Sequence, residues 1–269
     1  MRCVKIAPRG RRYGNNKIIA NLICVPKLTM DTKILKTHKF HPIVPFNFQK
    51  DTVLHIDLTE NNTDLHSLDL LNVEIMDEYV SRKIKAANAV CAVGGYLENR
   101  YIYRTTKHFQ QSNEPRSIHL GVDVWAKAGT PVRAPMKGKV HSFANNDNIG
   151  DYGPTIILEH NLAGNTFYTL YGHLNLECLE GIYEGKNIKA GDKIAEFGNY
   201  PINGNWSPHL HFQVITDMLG EKGDFPGVCE PSRMDEYTII CLDANILLGV
   251  REEGRIGKIN FQNELITDN

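Results

Sequence analysis

The segment SPHLHFQV, from Ser207 to Val214, has the alternation of a short β-strand. Its Leu, Phe and Val side chains fall on one face, and His209, His211 and Gln213 fall on the other. Burying two unpaired imidazoles side by side would cost free energy. Either the pair is exposed and solvated, or one ring binds a metal while the other, with its Cα about 6.6 Å away, stands beside it.

Two other sites carry residues that suit a metal or a catalytic centre. HLGVD contains His119 and Asp123, which on a straight strand would lie about 13 Å apart at Cα, so one metal could join them only if the chain bends. Gly121 lies between them and permits a bend. His173 ends the strand-like run LYGHLN. The remaining seven histidines are scattered and are interpreted as structural: His38, His41, His55, His66, His108, His141 and His160.

The composition is typical of a soluble globular protein. The 269 residues are 42% apolar and 23% charged, and the net charge of −1 argues against general nucleic-acid binding. No apolar run approaches the ~20 residues that span a bilayer. The six cysteines form no CxxC pair, which predicts reduced, buried thiols and favours a cytoplasmic location.

The segment Met1–Met30 has seven Lys or Arg residues and no acidic residue. It lacks the apolar core of a secretory signal, and it lacks the Ser residues of an organellar transit peptide. A third interpretation is that translation starts at Met30. We predict that residues 1–30 are disordered or mis-annotated and contribute nothing to the folded core.

The remaining chain predicts a mainly β protein with an α+β region over residues 31–115. In that region Asp51–Thr59 alternates like a strand, Val73–Val90 has helical spacing, and Gly94–Arg104 is interpreted as a turn and a strand. Residues 116–219 predict an antiparallel β barrel-sandwich, and residues 220–269 a C-terminal extension that packs on it. Its strands are expected in Thr130–Phe143, Thr155–His160, Thr166–Leu174 and Lys189–Gly198, with a hairpin turn at Asn161–Asn165.

Three stretches, HLGVDVWAKAGTPVRAPMKGKV, YTLYGHL and GNWSPHLHF, together resemble the zinc metallopeptidases of the M23 family, of the lysostaphin or LytM type. The resemblance covers about Ile118 to Ile215. It implies Zn²⁺ held by three ligands, and two unliganded catalytic histidines beside it. Carried over by motif, the metal ligands are His119, Asp123 and His211, and the catalytic residues are His173 and His209.

Three protein ligands leave the fourth zinc position open, as catalytic zinc requires. The resemblance therefore implies a metalloendopeptidase that hydrolyses a peptide or amide bond, with peptidoglycan-type peptides as a candidate substrate. The roles of His173 and His209 as base and as oxyanion or leaving-group partner stay open. Gln213 stands where the family often has Glu, which places a neutral amide beside the metal ligands. Trp206 is expected to shape the substrate groove.

Other functions stay open on the sequence alone. Because no signal peptide is recognised, one alternative function is a cytosolic amidase that acts on a small-molecule amide. A second alternative is a non-catalytic zinc-binding regulatory module. VRAPMKGKV and IKAGDKIAEFG resemble lipoyl and biotinyl carrier domains, but Met136-Lys137-Gly138 lacks their modified-lysine signature. The expected partner is a peptide or small amide, with no nucleic acid and no membrane span; the oligomeric state is open.

Overall fold

The computed structural model describes residues 32–105, 109 and 114–251. The predictions for residues 1–30 and for His108 lie outside this range, as does the end of the C-terminal extension. Across the described part of the chain, every helix is too short or too polar to cross a bilayer.

The N-terminal region combines short helices with two strands: α1 (Thr32–Thr37), β1 (Val53–His55), a 3₁₀ turn (Thr63–Ser67), α2 (Val73–Ala86), β2 (Cys91–Gly94) and α3 (Tyr101–Thr105). The predicted helix is confirmed as α2. The Asn72 side chain caps it by accepting hydrogen bonds from the amides of Glu74 and Ile75. The helix ends four residues before the predicted end, and β2 follows it.

The strand predicted within Gly94–Arg104 is wrong, because α3 begins at Tyr101. Asn99 and Arg100 make only isolated bridges. Ile102 and Tyr103 are neighbours in sequence, yet both are buried in the same apolar cluster. Adjacent residues of a strand would face opposite sides, so burial on one side favours the helical turn.

The predicted β-domain contains nine strands: β3 (Ile118–His119), β4 (Val122–Trp125), β5 (Pro131–Arg133), β6 (Gly138–Asn146), β7 (Gly153–Leu162), β8 (Asn165–Gly172), β9 (Asn187–Ile188), β10 (Lys193–Glu196) and β11 (His209–Ile215). A 3₁₀ turn spans Leu176–Leu179. The predicted hairpin joins β7 to β8 through Ala163 and Gly164, whose φ angles of 51° and 82° suit a two-residue turn.

The C-terminal part adds β12 (Val228–Cys229), a 3₁₀ turn (Pro231–Arg233), α4 (Met234–Thr238), β13 (Cys241–Leu242) and α5 (Asn245–Leu248). β12 pairs with β3, and β13 pairs with β11. The domain boundaries proposed from the sequence stay predictions.

The main sheet has nine strands in the order β1-β2-β4-β11-β8-β7-β6-β9, with β13 also paired to β11. Only β1 and β2 pair in parallel; the other ladders of the described residues are antiparallel. The mainly β, antiparallel class is therefore confirmed. Within the described residues, the sheet does not close into a barrel, because its end strands β1 and β9 do not pair with each other.

β11 lies inside the sheet, and all seven of its residues are buried. On one face, Leu210, Phe212 and Val214 pack in the largest apolar cluster together with Val122 and Val124 of β4. The opposite face carries His209 and His211, which are only 5% and 3% exposed. The exposed, solvated pair is therefore ruled out.

We predict that Phe212→Ala lowers the free energy of unfolding by about 3–5 kcal/mol, because it removes a fully buried aromatic side chain and leaves a cavity. Urea denaturation followed by circular dichroism measures the loss. Ile239→Ala, at a position that is 40% exposed, is the matched control. Equal losses in the two variants would contradict the central position of β11 in the core.

Candidate metal centre and active site

The register of β11 assembles the first part of the site. His211 lies opposite Asp123 of β4 on one side and opposite Gly172 of β8 on the other. The next residue after Gly172 is His173, whose φ of 61° lies in the left-handed region. That conformation costs free energy in a residue with a side chain, and it breaks the strand alternation so that His173 joins the cluster.

The chain bends between His119 and Asp123, as the sequence analysis required. β3 ends at His119 and β4 begins at Val122, so Leu120 and Gly121 make the bend. As a result His119 Nε2 lies 3.3 Å from Asp123 Oδ1. A Cβ at Gly121 would lie 2.7 Å from the Phe212 carbonyl oxygen and 2.8 Å from His211 Nε2. Close approach of β11 therefore requires glycine here.

Three potential ligand atoms form a compact triangle. His211 Nδ1 lies 3.0 Å from His119 Nε2 and 2.9 Å from Asp123 Oδ1, and the distance between His119 Nε2 and Asp123 Oδ1 is 3.3 Å. Donors at about 2.0–2.1 Å around one tetrahedral ion are about 3.3 Å apart. Nitrogen and carboxylate oxygen are zinc ligands. The triangle and its donor set therefore fit Zn²⁺.

Hydrogen bonds fix which nitrogen of each ligand histidine is free. His119 Nδ1 lies 3.0 Å from the Gly95 carbonyl, which only accepts, so Nδ1 carries the proton and Nε2 keeps its lone pair. The Gln213 amide nitrogen donates to the Pro226 carbonyl at 3.2 Å, so its oxygen faces His211 Nε2 at 2.8 Å. His211 therefore donates from Nε2 and presents Nδ1 to the triangle.

The charge states also suit a metal. Burial and the nearby charge of Arg100 lower the pKa of His119 to about 4, so its ring is neutral at neutral pH. Burial opposes ionisation of Asp123, but neighbouring His119 and Arg100 hold its pKa well below the usual range. A neutral imidazole and an ionised carboxylate are the forms that bind metal.

His173 and His209 lie beside the triangle without being part of it. The Nδ1 atom of His173 donates to the Asn203 carbonyl at 2.8 Å, and that of His209 donates to the Ser207 carbonyl at 2.7 Å. Each ring therefore keeps a free lone pair at Nε2. Their centroids are 4.2 Å apart, and His209 Nε2 lies 3.8 Å from Asp123 Oδ2.

Burial keeps both of these rings uncharged. It lowers the pKa of His209 to about 4. Burial, together with His209 and His211, lowers the pKa of His173 well below its usual value. The structure thus brings together all five residues named from the sequence, as three converging donors and two neutral imidazoles that can accept a proton.

The sequence analysis missed Arg100, which is 2% exposed. Its Nη1 contacts Asp123 Oδ2 and donates to Tyr103 Oη at 2.9 Å. Its Nε donates to Glu98 Oε2 at 2.8 Å, and Glu98 Oε1 accepts from the Leu58 amide. This chain of contacts holds Asp123 with its other oxygen toward the triangle. No motif in the sequence marks Arg100. It lies just before α3, in the segment that was wrongly predicted to contain a strand.

The histidines interpreted as structural take no part in the cluster where they are described. His160 is buried and bonds Thr169 Oγ1 at 2.8 Å and the Lys137 carbonyl. Of the others, His38, His41 and His66 are exposed, and His55 and His141 are partly buried. Among the described cysteines, Cys91, Cys229 and Cys241 are buried free thiols and Cys178 is a partly buried one, as predicted.

Comparison with known proteins supports the same chemistry. Residues 117–222 match the family model of peptidase family M23. An "Uncharacterized metalloprotease" of Haemophilus influenzae is 36% identical over 95 residues, 35% of this chain and 18% of that protein. A "Lipoprotein NlpD/LppB homolog" of Pseudomonas aeruginosa is 35% identical over 98 residues, 36% of this chain and 29% of that protein.

A "DD-carboxypeptidase/endopeptidase Mpg" of Neisseria meningitidis is 33% identical over 98 residues, 36% of this chain and 20% of that protein. The chain therefore spans less than a third of each of these relatives. A zinc-containing peptidase from Vibrio cholerae, known from its crystal structure, is 32% identical over 36% of this chain and 27% of that one, with a TM-score of 0.29.

The M23 resemblance is confirmed for residues 117–222, which match the model of that family, and within this segment His119, Asp123 and His211 form a group that could hold a metal ion. The cytoplasmic location predicted from the sequence is wrong. A relative named as a lipoprotein points to a location outside the cytoplasm.

We predict that the protein binds one Zn²⁺ and that His211→Ala loses most of it, because the variant removes one of three converging donors. Metal analysis by mass spectrometry after dialysis measures the content. His66→Ala, an exposed histidine outside the cluster, should keep its zinc. Full zinc occupancy in His211→Ala would refute the ligand assignment.

We predict that Arg100→Met weakens zinc binding by roughly 10–100-fold, since Asp123 Oδ2 loses its cationic partner. Competition with a chromophoric chelator measures the affinity. A double variant with Glu98→Gln avoids leaving the Glu98 carboxylate unpaired and tests the effect if the single variant unfolds. Arg82→Met, on the exposed face of α2, is the control; an equal effect there would rule out a specific role for Arg100.

Proposed function

We propose that this chain, in which residues 117–222 form an M23 zinc metallopeptidase domain, hydrolyses a peptide bond by activating a water molecule between the metal centre and two histidines. The observation that supports this most directly is the pair His173 and His209. Both rings are buried, neutral and fixed at Nδ1, and both keep a lone pair at Nε2 beside the ligand triangle. A purely structural zinc site has no need of such a pair.

Zinc would be held by His119 Nε2, His211 Nδ1 and Asp123 Oδ1. Three protein ligands suit a catalytic site with a fourth, open position. When bound there, zinc lowers the pKa of a water molecule and polarises the carbonyl of the substrate. The protein residues supply the remaining tasks of orientation and proton transfer.

One of the two free imidazoles accepts the proton of the attacking water at Nε2. Its Nδ1–H bond to a backbone carbonyl persists and stabilises the imidazolium that forms. The imidazolium then donates this proton from Nε2 to the leaving amine, and the other imidazole stabilises the negative charge on the carbonyl oxygen only when it is itself protonated at Nε2. His209 Nε2 lies 3.8 Å from the Asp123 carboxylate, which would also stabilise a protonated His209.

The proposed substrate is a peptidoglycan-type peptide. Two findings support it: the M23 domain itself, and a relative named as a DD-carboxypeptidase/endopeptidase. The relative named as a lipoprotein supports action outside the cytoplasm, where such peptides occur. The paired free imidazoles favour catalysis over a non-catalytic zinc-binding module.

We predict that His173→Ala and His209→Ala each keep zinc and lose roughly 10²–10⁴-fold in activity, since each removes a proton-transfer group that does not ligate the metal. Activity is measured on purified peptidoglycan, with mass spectrometry of the new amino and carboxyl termini. A chelator should abolish activity, and added Zn²⁺ should restore it.

The exposed variant His38→Ala serves as the control and should cleave like the parent protein. If either active-site variant lost zinc in proportion to its activity, the division between ligand and catalyst would be wrong. If the zinc-loaded parent cut no peptide in the digest, the proposed substrate would be wrong.

A further inference from the structure

Three contacts hold the ring of His209. Trp125 of β4 stacks on it, with ring centroids 5.3 Å apart and 22° between the planes, and the centroid of the His173 ring lies 4.2 Å away. Within the plane of the ring, the Nδ1–H bond to the Ser207 carbonyl, at 2.7 Å, limits its rotation. The direction in which His209 Nε2 points therefore depends on the position of the Ser207 carbonyl.

Ser207 is in turn tied to a helix outside the M23 segment. Its hydroxyl Oγ donates to Asp77 Oδ1 of α2 at 2.8 Å, although the two residues are 130 positions apart in the sequence. Ser207 is buried and Asp77 is partly buried, so water competes little for this hydrogen bond. Pro208 follows Ser207 and confines its backbone largely to extended conformations. A bond that fixes the Ser207 side chain therefore also limits where its carbonyl points.

Helix α2 is a firm support for this hydrogen bond. One face of the helix is buried in the apolar cluster that also contains Trp125, through Met76, Tyr79 and Val80. Asp77 directly follows Met76, so its backbone is held by the packed core. The N-terminal region thus supports His209 in two ways: it packs on Trp125, which stacks on the ring, and it binds Ser207, which accepts the Nδ1–H bond.

We propose that Asp77 is a positioning residue for proton transfer. Through the Ser207 hydroxyl it fixes the Ser207 carbonyl, and through that carbonyl it directs His209 Nε2 toward the reacting atoms. This role rests on the proposed peptidase function. It concerns the geometry of the protein alone, so it sets no requirement on the side chains of a peptidoglycan-type substrate. Asp77 acts as a hydrogen-bond acceptor, and its negative charge is not needed.

Kinetics of the zinc-loaded full chain on soluble cross-linked peptidoglycan fragments test this role. Asp77→Leu removes the acceptor at nearly constant size, and kcat should fall roughly 10- to 100-fold with KM nearly unchanged, because only the proton-transfer geometry is disturbed. Asp77→Asn keeps an acceptor oxygen and should restore most of kcat. Glu78→Leu, at the exposed neighbour on the same helix, should leave both constants as in the parent. Metal analysis should give equal zinc content in the parent and the three variants.

A second measurement reports on His209 without any cleavage. Nuclear magnetic resonance detects the ring N–H protons of buried, hydrogen-bonded histidines, and the signal missing in His209→Ala identifies this residue. In Asp77→Leu that proton should exchange with water roughly 10-fold faster, since one hydrogen bond fewer holds its acceptor in place. Asp77→Asn and Glu78→Leu should keep the parent's rate. The Nδ1–H of His119, bonded to the Gly95 carbonyl, should exchange equally in these proteins, which separates positioning from general loosening of the fold.

Unchanged kcat and unchanged exchange in Asp77→Leu would overturn the role of Asp77, and so would an effect on only one of the two in an active parent. Equal losses in Asp77→Asn and Asp77→Leu, or faster exchange at His119 as well, would also overturn it. If Asp77→Leu does not fold, Ser207→Ala breaks the same bond from the other side and must give both effects. If exchange at His209 responded as expected but the zinc-loaded parent cleaved no peptide, the link from Asp77 to His209 would stand and the proposed peptidase function would fail.

Discussion

The register of β11 between β4 and β8 is the constraint on which the rest of the structure depends. Side chains alternate along a strand, so a slip of one residue would exchange the two faces of β11. Leu210, Phe212 and Val214 are fully buried against the apolar cluster, which makes such a slip costly. The same pairing sets His211 opposite Asp123. Burial of one face therefore determines the geometry of the metal centre on the other.

The hydrogen bonds made by the histidines on that second face also determine its chemistry. The four clustered histidines are nearly inaccessible to water, and each donates one ring N–H to a fixed acceptor. Three of these acceptors are backbone carbonyls, and the fourth is the Gln213 amide oxygen. Each bond offsets the cost of burial and also selects the tautomer. The lone pairs are consequently oriented before any metal or substrate arrives.

The features that could be predicted from the sequence are those encoded locally. The β7–β8 hairpin follows from its turn residues, and the five clustered residues follow from the resemblance of three stretches, taken together, to the M23 family. Arg100 could not be found in this way, because its contact with Asp123 depends on the pairing of β2 with β4. The location was predicted wrongly for another reason: it was inferred from the pattern of the cysteines, and buried free thiols such as Cys91 and Cys241 do not by themselves identify a compartment.

The contact between Arg100 and Asp123 explains how the Asp123 carboxylate can be buried and ionised before a metal ion binds. An ionised carboxylate that is 1% exposed would be strongly destabilising without a cation beside it. Arg100 supplies that cation, and Glu98 holds the guanidinium in position from its far side. The charge of Asp123 is then balanced at one oxygen, and the other oxygen stays available as a ligand. Because Arg100 and Glu98 lie outside residues 117–222, residues of the N-terminal region hold the Asp123 carboxylate in place.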